Sequence, residues 1–186
     1  MQRKQETQSN EMKRRFSAKR IAVIAVFVAL LIGVQLALSA VAGVELVTVL
    51  FISFAYAFGG KRGAIGGTVF ALLRQLVFGV YPNVLILYLT YYNLLALLFG
   101  WIGKREGKLW LVCLLTCVCT VCFFLLDCVI TPLWYGYPAE GFRVYFLTSM
   151  PVLFTHTVSA GATSALLFLP LKRAFQFVEK GGRHSP

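Results

Sequence analysis

Six long runs of apolar residues, separated by short polar or basic segments, constrain this 186-residue chain more than any other feature. The runs cover residues 21–42, 44–58, 63–79, 84–102, 109–131 and 144–171. A helix needs about 20 mostly apolar residues to cross a bilayer core, and a membrane strand would show an alternating pattern instead. The sequence therefore predicts an all-α integral membrane protein, a bundle of six transmembrane helices. The second and third runs lie near the lower length limit for a span.

Composition excludes the main alternatives to a membrane protein. Only 13% of the residues are charged and 59% are apolar, whereas a soluble domain carries about a quarter charged residues. This balance argues against a soluble enzyme, a disordered chain and a disulfide-rich secreted domain.

The positive charge is distributed unevenly, which predicts the orientation in the membrane. The net charge is +11, and 16 of the 18 Lys and Arg residues lie in segments 1–20, 59–63, 103–108 and 172–186. Cytoplasmic loops collect Lys and Arg, so both termini are predicted to be cytoplasmic. The chain then divides into a basic tail (1–20), a six-helix domain (21–171) and a second basic tail (172–186), and its charge requires no nucleic acid. A signal peptide ending at Ala42 is the competing interpretation of the first run.

With this orientation, most polar residues of the spans fall in the outer half of the membrane. Asn93 and His156 lie near the middle, and the outer residues are Gln35, Glu45, Thr48, Arg74, Gln75, Tyr88, Tyr91, Tyr92, Asp127, Thr148 and Thr155. Polar groups inside a bilayer normally face a bundle interior or a wet cavity. The pattern predicts one cavity that opens outward. The Ser and Thr residues have an alternative role, in hydrogen bonds between packed helices.

Ionisable residues are the sharpest candidates for a binding site. Arg74 lies deep in the third run, where a charge needs a partner. Asp127 is one candidate partner, in a structural ion pair. An anionic or carbonyl group of a ligand is the other, because the guanidinium presents a planar fork of donors.

Three further candidates have both functional and structural interpretations. Glu45 is either a site residue or solvated at the outer surface. His156 is a satisfied histidine, a ligand contact or a protonation site. Trp134 belongs to a predicted loop over residues 132–143, which either lies at the headgroup level or covers the cavity.

The sequence predicts no catalytic residue, metal site or cofactor. All five cysteines lie in the fifth run, where cysteine serves as a small apolar residue, and a metal site would need ligands from elsewhere. Nothing matches a nucleophile elbow, a zinc-protease helix or a phosphate loop. A small membrane enzyme that uses His156 and Asp127 for proton transfer remains an alternative.

Small residues recur every four positions on the first run, at Ala25, Ala29, Gly33 and Ala37. Small-xxx-small spacing lets a second helix approach closely. The stripe is either packed inside the bundle or docks a separate membrane subunit.

Over residues 20–172 the chain resembles the substrate-binding S component of an energy-coupling factor (ECF) vitamin transporter. The resemblance rests on size, six runs with both ends inside, a basic N-terminal segment and the small-residue stripe, which matches the alanine motif of that family. It implies that the stripe contacts a transmembrane scaffold subunit, and that two ATPase subunits power uptake. It also implies a site for a vitamin-like ligand in the outer parts of the later helices, where the chain has Tyr92, Asn93, Asp127, Trp134 and His156, with Arg74 and Glu45 from earlier segments.

The resemblance further implies a multi-pass protein of the cytoplasmic membrane of a prokaryote, which binds its ligand without modifying it. The alternative is a non-transport membrane scaffold or assembly protein, whose outer polar residues are structural.

Overall fold

The chain is entirely helical over the residues that the structure describes. The computed structural model describes residues 2–41 and 43–181, and the side chains of residues 18–41 and 43–180. Over these ranges it contains no strand and six helices: α1 (Gln2–Leu38), α2 (Val47–Phe58), α3 (Gly60–Phe78), α4 (Pro82–Lys104), α5 (Leu109–Trp134) and α6 (Ala139–Gly181). The predicted all-α class is confirmed.

Four helical segments are long and apolar enough to cross a membrane: Ala18–Leu38, Pro82–Lys104, Leu109–Trp134 and Ala139–Lys180. The 12 residues of α2 extend only about 18 Å, against a bilayer core of about 30 Å. The first turn of α3 carries Lys61 and Arg62. Four of the six predicted spans are therefore supported.

The basic segments at the two ends continue the helices beside them. The helix α1 begins at Gln2, and α6 ends at Gly181, so most of segments 1–20 and 172–186 is helical and continuous with these two helices. Met1, Ala42 and residues 182–186, which the predicted tails and first run include, lie outside the described residues.

The predicted loop over residues 132–143 is shorter than expected and covers residues 135–138. The helix α5 runs to Trp134 and α6 begins at Ala139. Gly136 adopts a positive φ of 64°, and the N–H of Tyr137 donates to the carbonyl of Pro132 at 2.9 Å. This is the glycine-terminated helix end known as a Schellman motif, which needs only a few residues to reverse the chain.

The predicted basic turn over residues 59–63 is also shorter than expected. Gly59 alone separates α2 from α3, with a φ of +86° that favours glycine. Gly60 and Gly63 lie inside α3, where a Cβ on Gly63 would stand 3.0 Å from the Cβ atoms of Ala55 and Ala96. These glycines permit close packing of helices rather than a turn.

The short helix α2 forms the centre of the bundle. It contacts α1, α3, α4 and α6, and ten of its residues are buried. Phe27 of α1 stacks on Phe54 of α2 with ring centroids 3.8 Å apart. A helix that is apolar on all sides is normally buried among neighbours, and α2 is buried among these four helices.

Side-chain contacts fix the relative directions of the helices and give the molecule two distinct ends. Gly67 lies beside Tyr92, and Gly63 beside Ala96, so α3 and α4 are antiparallel. The basic end, which has the C-termini of α2, α4 and α6, carries Lys19, Arg20, Lys61, Arg62, Lys104, Arg105, Lys108, Lys172, Arg173 and Lys180. The opposite end has the C-termini of α1, α3 and α5, and we call it the polar end.

Candidate functional site

Arg74 lies near the polar end of α3 with its guanidinium group between two aromatic rings. The guanidinium carbon is 4.5 Å from the centroid of the Tyr88 ring and 5.2 Å from that of Phe78. Such cation–π contacts stabilise a desolvated arginine. These contacts involve the charge of the guanidinium, whereas its hydrogen bonds are made by its N–H groups.

Two edge donors of Arg74 have no partner. Its Nε and Nη1 atoms are buried and make no hydrogen bond. Buried donors of a charged group are normally paired, because an unpaired one loses its water without compensation. Two of the donors of Arg74 therefore remain unsatisfied by the described side chains.

Other unpaired polar atoms gather at the same end of the bundle. Gln35 donates from Nε2 to the Tyr88 hydroxyl at 3.3 Å, but its Oε1 is buried without a partner. The Nε2 of Gln75 and the Oδ1 of Asn83 are also buried without a hydrogen-bond partner. Among the described side chains, five of the seven buried unpaired polar atoms lie at the polar end, and the other two belong to Thr157 and Ser164. Buried polar atoms of this kind normally find a partner in the protein or in ordered water.

Asp127 is bound by other residues, so of the two interpretations of Arg74 the structural ion pair with Asp127 is not supported. Its Oδ1 accepts a hydrogen bond from Thr131 at 2.7 Å, and its Oδ2 accepts one from Tyr145, also at 2.7 Å. Thr131 in turn accepts from the Nδ2 of Asn83 at 3.1 Å. This network joins α4, α5 and α6 at the polar end.

Glu45 is tied to α6 and is not merely solvated. Its Oε1 lies 2.9 Å from the Nδ1 of His156, and its Oε2 accepts from Thr48 at 3.0 Å. Its backbone N–H donates to Ser159 at 2.9 Å, and Thr163 donates to its carbonyl at 2.8 Å. Both side chains of the Glu45–His156 pair are about a quarter exposed, at 23% and 26%. The interpretation of His156 as a satisfied histidine is therefore favoured.

The three remaining sequence-predicted residues make their contacts with residues other than Arg74. Tyr92 is buried and packs edge-on against Phe51 and Phe70. Asn93 donates to the carbonyl of Leu89 at 2.7 Å and to Thr68 at 3.2 Å, so it joins α3 to α4. Trp134 is half exposed at the last residue of α5.

Sequence reasoning missed two participants at the polar end. Asn83 is 4% exposed although its pattern, directly after Pro82, is that of a turn residue. Tyr145 was hidden within an apolar run. The one available signal was that Asp127 needed donors from a neighbouring helix, and the start of the next run was the nearest source.

The small-residue stripe on α1 lies on the outer surface of the helix bundle. It consists of Ala25, Ala29, Gly33 and Ala37. All four residues are exposed, and a Cβ added to Gly33 would meet nothing within 4 Å. The interpretation of the stripe as internal packing is therefore wrong for the described chain.

The cysteines of α5 are free thiols. Over the described residues, no group of three or more His, Cys, Asp or Glu side chains converges on a point that would suit a metal ion. Comparisons of the chain with protein-family models, with characterised proteins and with solved structures find no match.

Proposed function

We propose that this chain is the substrate-binding S component of an ECF-type importer in the cytoplasmic membrane of a prokaryote. In this proposal all six helices cross or enter the bilayer, both termini are cytoplasmic and the polar end faces outward. The chain captures a vitamin or a similar micronutrient at the polar end. A transmembrane scaffold and two ATPase subunits then power its delivery inward, and the chain itself carries out no chemical step.

The observation that carries the proposal is the pair of unpaired buried donors on Arg74. Each such atom costs about 1–3 kcal/mol when it is left without a partner, and charged groups inside membranes mark ligand pathways more often than packing. A ligand with a carboxylate, phosphate or amide oxygen would accept hydrogen bonds from these two donors. The free Oε1 of Gln35 would accept a hydrogen bond from an N–H or O–H of the same ligand.

The charge distribution supports the orientation. The basic end carries ten Lys and Arg side chains from α1, α3, α4, α6 and the α4–α5 turn, which is the excess expected on the cytoplasmic side. At the polar end the exposed basic side chain is Arg143, beside Glu140.

The outward-facing stripe on α1 supports docking of a scaffold subunit. We expect Gly33→Leu to leave the fold and ligand retention intact, because the space around Gly33 is open. Loss of close approach at a central contact would reduce recovery of the scaffold and ATPases about tenfold. The measurement is protein mass spectrometry after mild extraction of the tagged chain from its native membrane.

A bulky substitution elsewhere on the surface supplies the control for this experiment. Val158→Trp adds bulk at a side chain of α6 that is already exposed, and it should leave recovery unchanged. A native chain that is well folded but reproducibly alone would contradict the proposal. Equal recovery of the scaffold and ATPases with the native chain and with Gly33→Leu would show that the stripe is not their docking surface.

The second candidate function is a non-transport membrane scaffold or assembly protein. It is favoured by the hydrogen-bond networks around Asp127 and Glu45, which join helices and engage both carboxylates. Recovery of membrane proteins other than a scaffold with two ATPases, with no small molecule bound, would select this function.

A further inference from the structure

An apolar groove lies on the outside of the bundle at the basic end, far from the Arg74 site. It is formed by α1, α2 and α6 and has a volume of about 280 Å³. Aromatic side chains form its floor: Phe27, Phe54, Phe58 and Phe175. Phe27, Phe54 and Phe58 are almost completely buried, so the floor is a fixed part of the core rather than a set of loose surface side chains.

The walls of the groove open to the surroundings of the bundle. Val26 and Leu30 of α1 are 70% and 44% exposed, and Val178 of α6 is 47% exposed. In a membrane protein, such a surface meets either lipid or another polypeptide. Every side chain in the lining is apolar except one, Lys19.

The length of the groove matches one leaflet of a bilayer. It follows α1 from Lys19 to Leu30, eleven helical steps that correspond to about 16 Å. Half of a hydrocarbon core is about 15 Å. Lys19 stands at the end where the apolar segment Ala18–Leu38 begins, and with that segment in the bilayer core its ammonium group would reach the headgroup level.

Charge at the mouth of the groove favours an anionic occupant. Lys19 is exposed there, and Arg20 and Lys180 are also exposed at the basic end. The nearby acidic residue Glu179 lies 3.6 Å from Arg62 in an ion pair. Lysines and arginines at this level attract anionic lipids.

We propose that the groove binds one anionic phospholipid, with an acyl chain along the phenylalanine floor and the phosphate against Lys19. The occupant is a lipid rather than a helix of another protein, because the groove is apolar over the length of one leaflet and the one cation of its lining lies where the apolar segment begins. This site does not depend on the proposed transport function.

Native mass spectrometry of the full chain tests the proposal. The chain is reconstituted with equal amounts of dioleoylphosphatidylglycerol and dioleoylphosphatidylcholine, then released from detergent in the gas phase. We expect one retained phosphatidylglycerol. Lys19→Glu should lower the ratio of phosphatidylglycerol to phosphatidylcholine bound about tenfold, because it replaces attraction with repulsion at the phosphate.

Two further variants distinguish binding of lipid in the groove from general attraction of anionic lipid to the basic end. Lys61→Glu makes the same charge change at an exposed residue of the basic end outside the groove lining, and should change the ratio about twofold or less. Val26→Trp places a large ring at the wall and should reduce retention of both lipids. Equal effects of Lys19→Glu and Lys61→Glu, or no retained lipid, would overturn the proposal.

Photo-crosslinking identifies the occupant in the native membrane. A photoreactive amino acid introduced in place of Val26 should label lipid. Labelling of a protein with no lipid adduct would show that a polypeptide fills the groove, and would overturn the lipid assignment.

Discussion

Arg74→Met is expected to stabilise the ligand-free protein and to abolish ligand binding. Methionine fills a similar space but has no donors to leave unpaired. Removing two buried unsatisfied atoms gains about 1–3 kcal/mol each, and losing the contacts with Tyr88 and Phe78 costs about 0.5–2 kcal/mol. The midpoints of these ranges leave a net gain of about 3 kcal/mol, and each kcal/mol raises the Tm by about 2–4 °C for a chain of this size.

Loss of binding by Arg74→Met follows from the same geometry. A buried, hydrogen-bonded charge contributes about 2–5 kcal/mol when its partner is lost, which corresponds to at least about 30-fold in affinity. The readouts are thermal unfolding of the purified chain and mass spectrometry of small molecules that it retains from its native membrane.

Arg143→Met is the matched control for this substitution. Arg143 lies at the polar end but is exposed, so neither stability nor ligand retention should change much. A purely structural Arg74 predicts the opposite result for Arg74→Met, a fall in Tm with no selective loss of ligand. If Arg74 binds a ligand, Arg74→Met raises the Tm and loses the ligand. If Arg74 is structural, the same substitution lowers the Tm with no selective loss of ligand.

Gly100→Ala is expected to prevent correct folding of most of the protein. A Cβ at this position would overlap the backbone N and Cα atoms of Gly60 on α3. Backbone cannot rotate away as a flexible side chain can, so α3 and α4 would have to separate along their shared face. Overpacking of a well-packed core costs about 1–3 kcal/mol or more, and here the clash is with main chain.

Gly33→Ala is the control for Gly100→Ala, because both place the same methyl group in a helix. With nothing within 4 Å, the alanine at position 33 should be neutral or should stabilise the helix by about 0.5–1 kcal/mol. Size-exclusion chromatography and Tm measurement compare the two variants. If both behave like the native chain, the close approach of α3 and α4 is wrong.

Sequence patterns were sufficient for the helices whose ends carry strong signals. Gly79 and Pro82 predicted the break between α3 and α4, and the structure places a positive φ at Gly79 and the first residue of α4 at Pro82. The charged segment from Gly103 to Lys108 likewise separates α4 from α5. Glycine and proline act through local backbone geometry, which is why they are readable without tertiary information.

Other boundaries depended on contacts that the sequence does not display. Pro, Gly and aromatic residues over 132–143 resemble a loop, yet Pro132 lies within α5 and supplies the carbonyl that ends it. Gly60 and Gly63 resemble a turn, but they lie where α3 meets its neighbours. The same residue types occur in turns and at close contacts between helices, so the sequence alone does not distinguish the two.

The sequence predicted which polar side chains of the site lie within the helices, but not which side chains they contact. The position of Arg74 in an apolar run predicted that it would need a partner, and Asp127 was one candidate. Which residues meet depends on the rotation of each helix about its axis, which places Thr131 and Tyr145 on Asp127 and Tyr88 on Arg74. Glu45 and His156, 111 positions apart, meet for the same reason.

The most direct test of the central claim is to identify what the chain carries when it leaves its native membrane. The tagged protein is extracted in mild detergent, purified and denatured, and the released small molecules are identified by mass spectrometry, with Arg74→Met treated in parallel. We predict one water-soluble compound with a carboxylate, phosphate or amide group, near equal molar amount, that is absent from Arg74→Met. A folded native chain that releases no such compound, or the same compound from both proteins, would contradict a ligand site at Arg74.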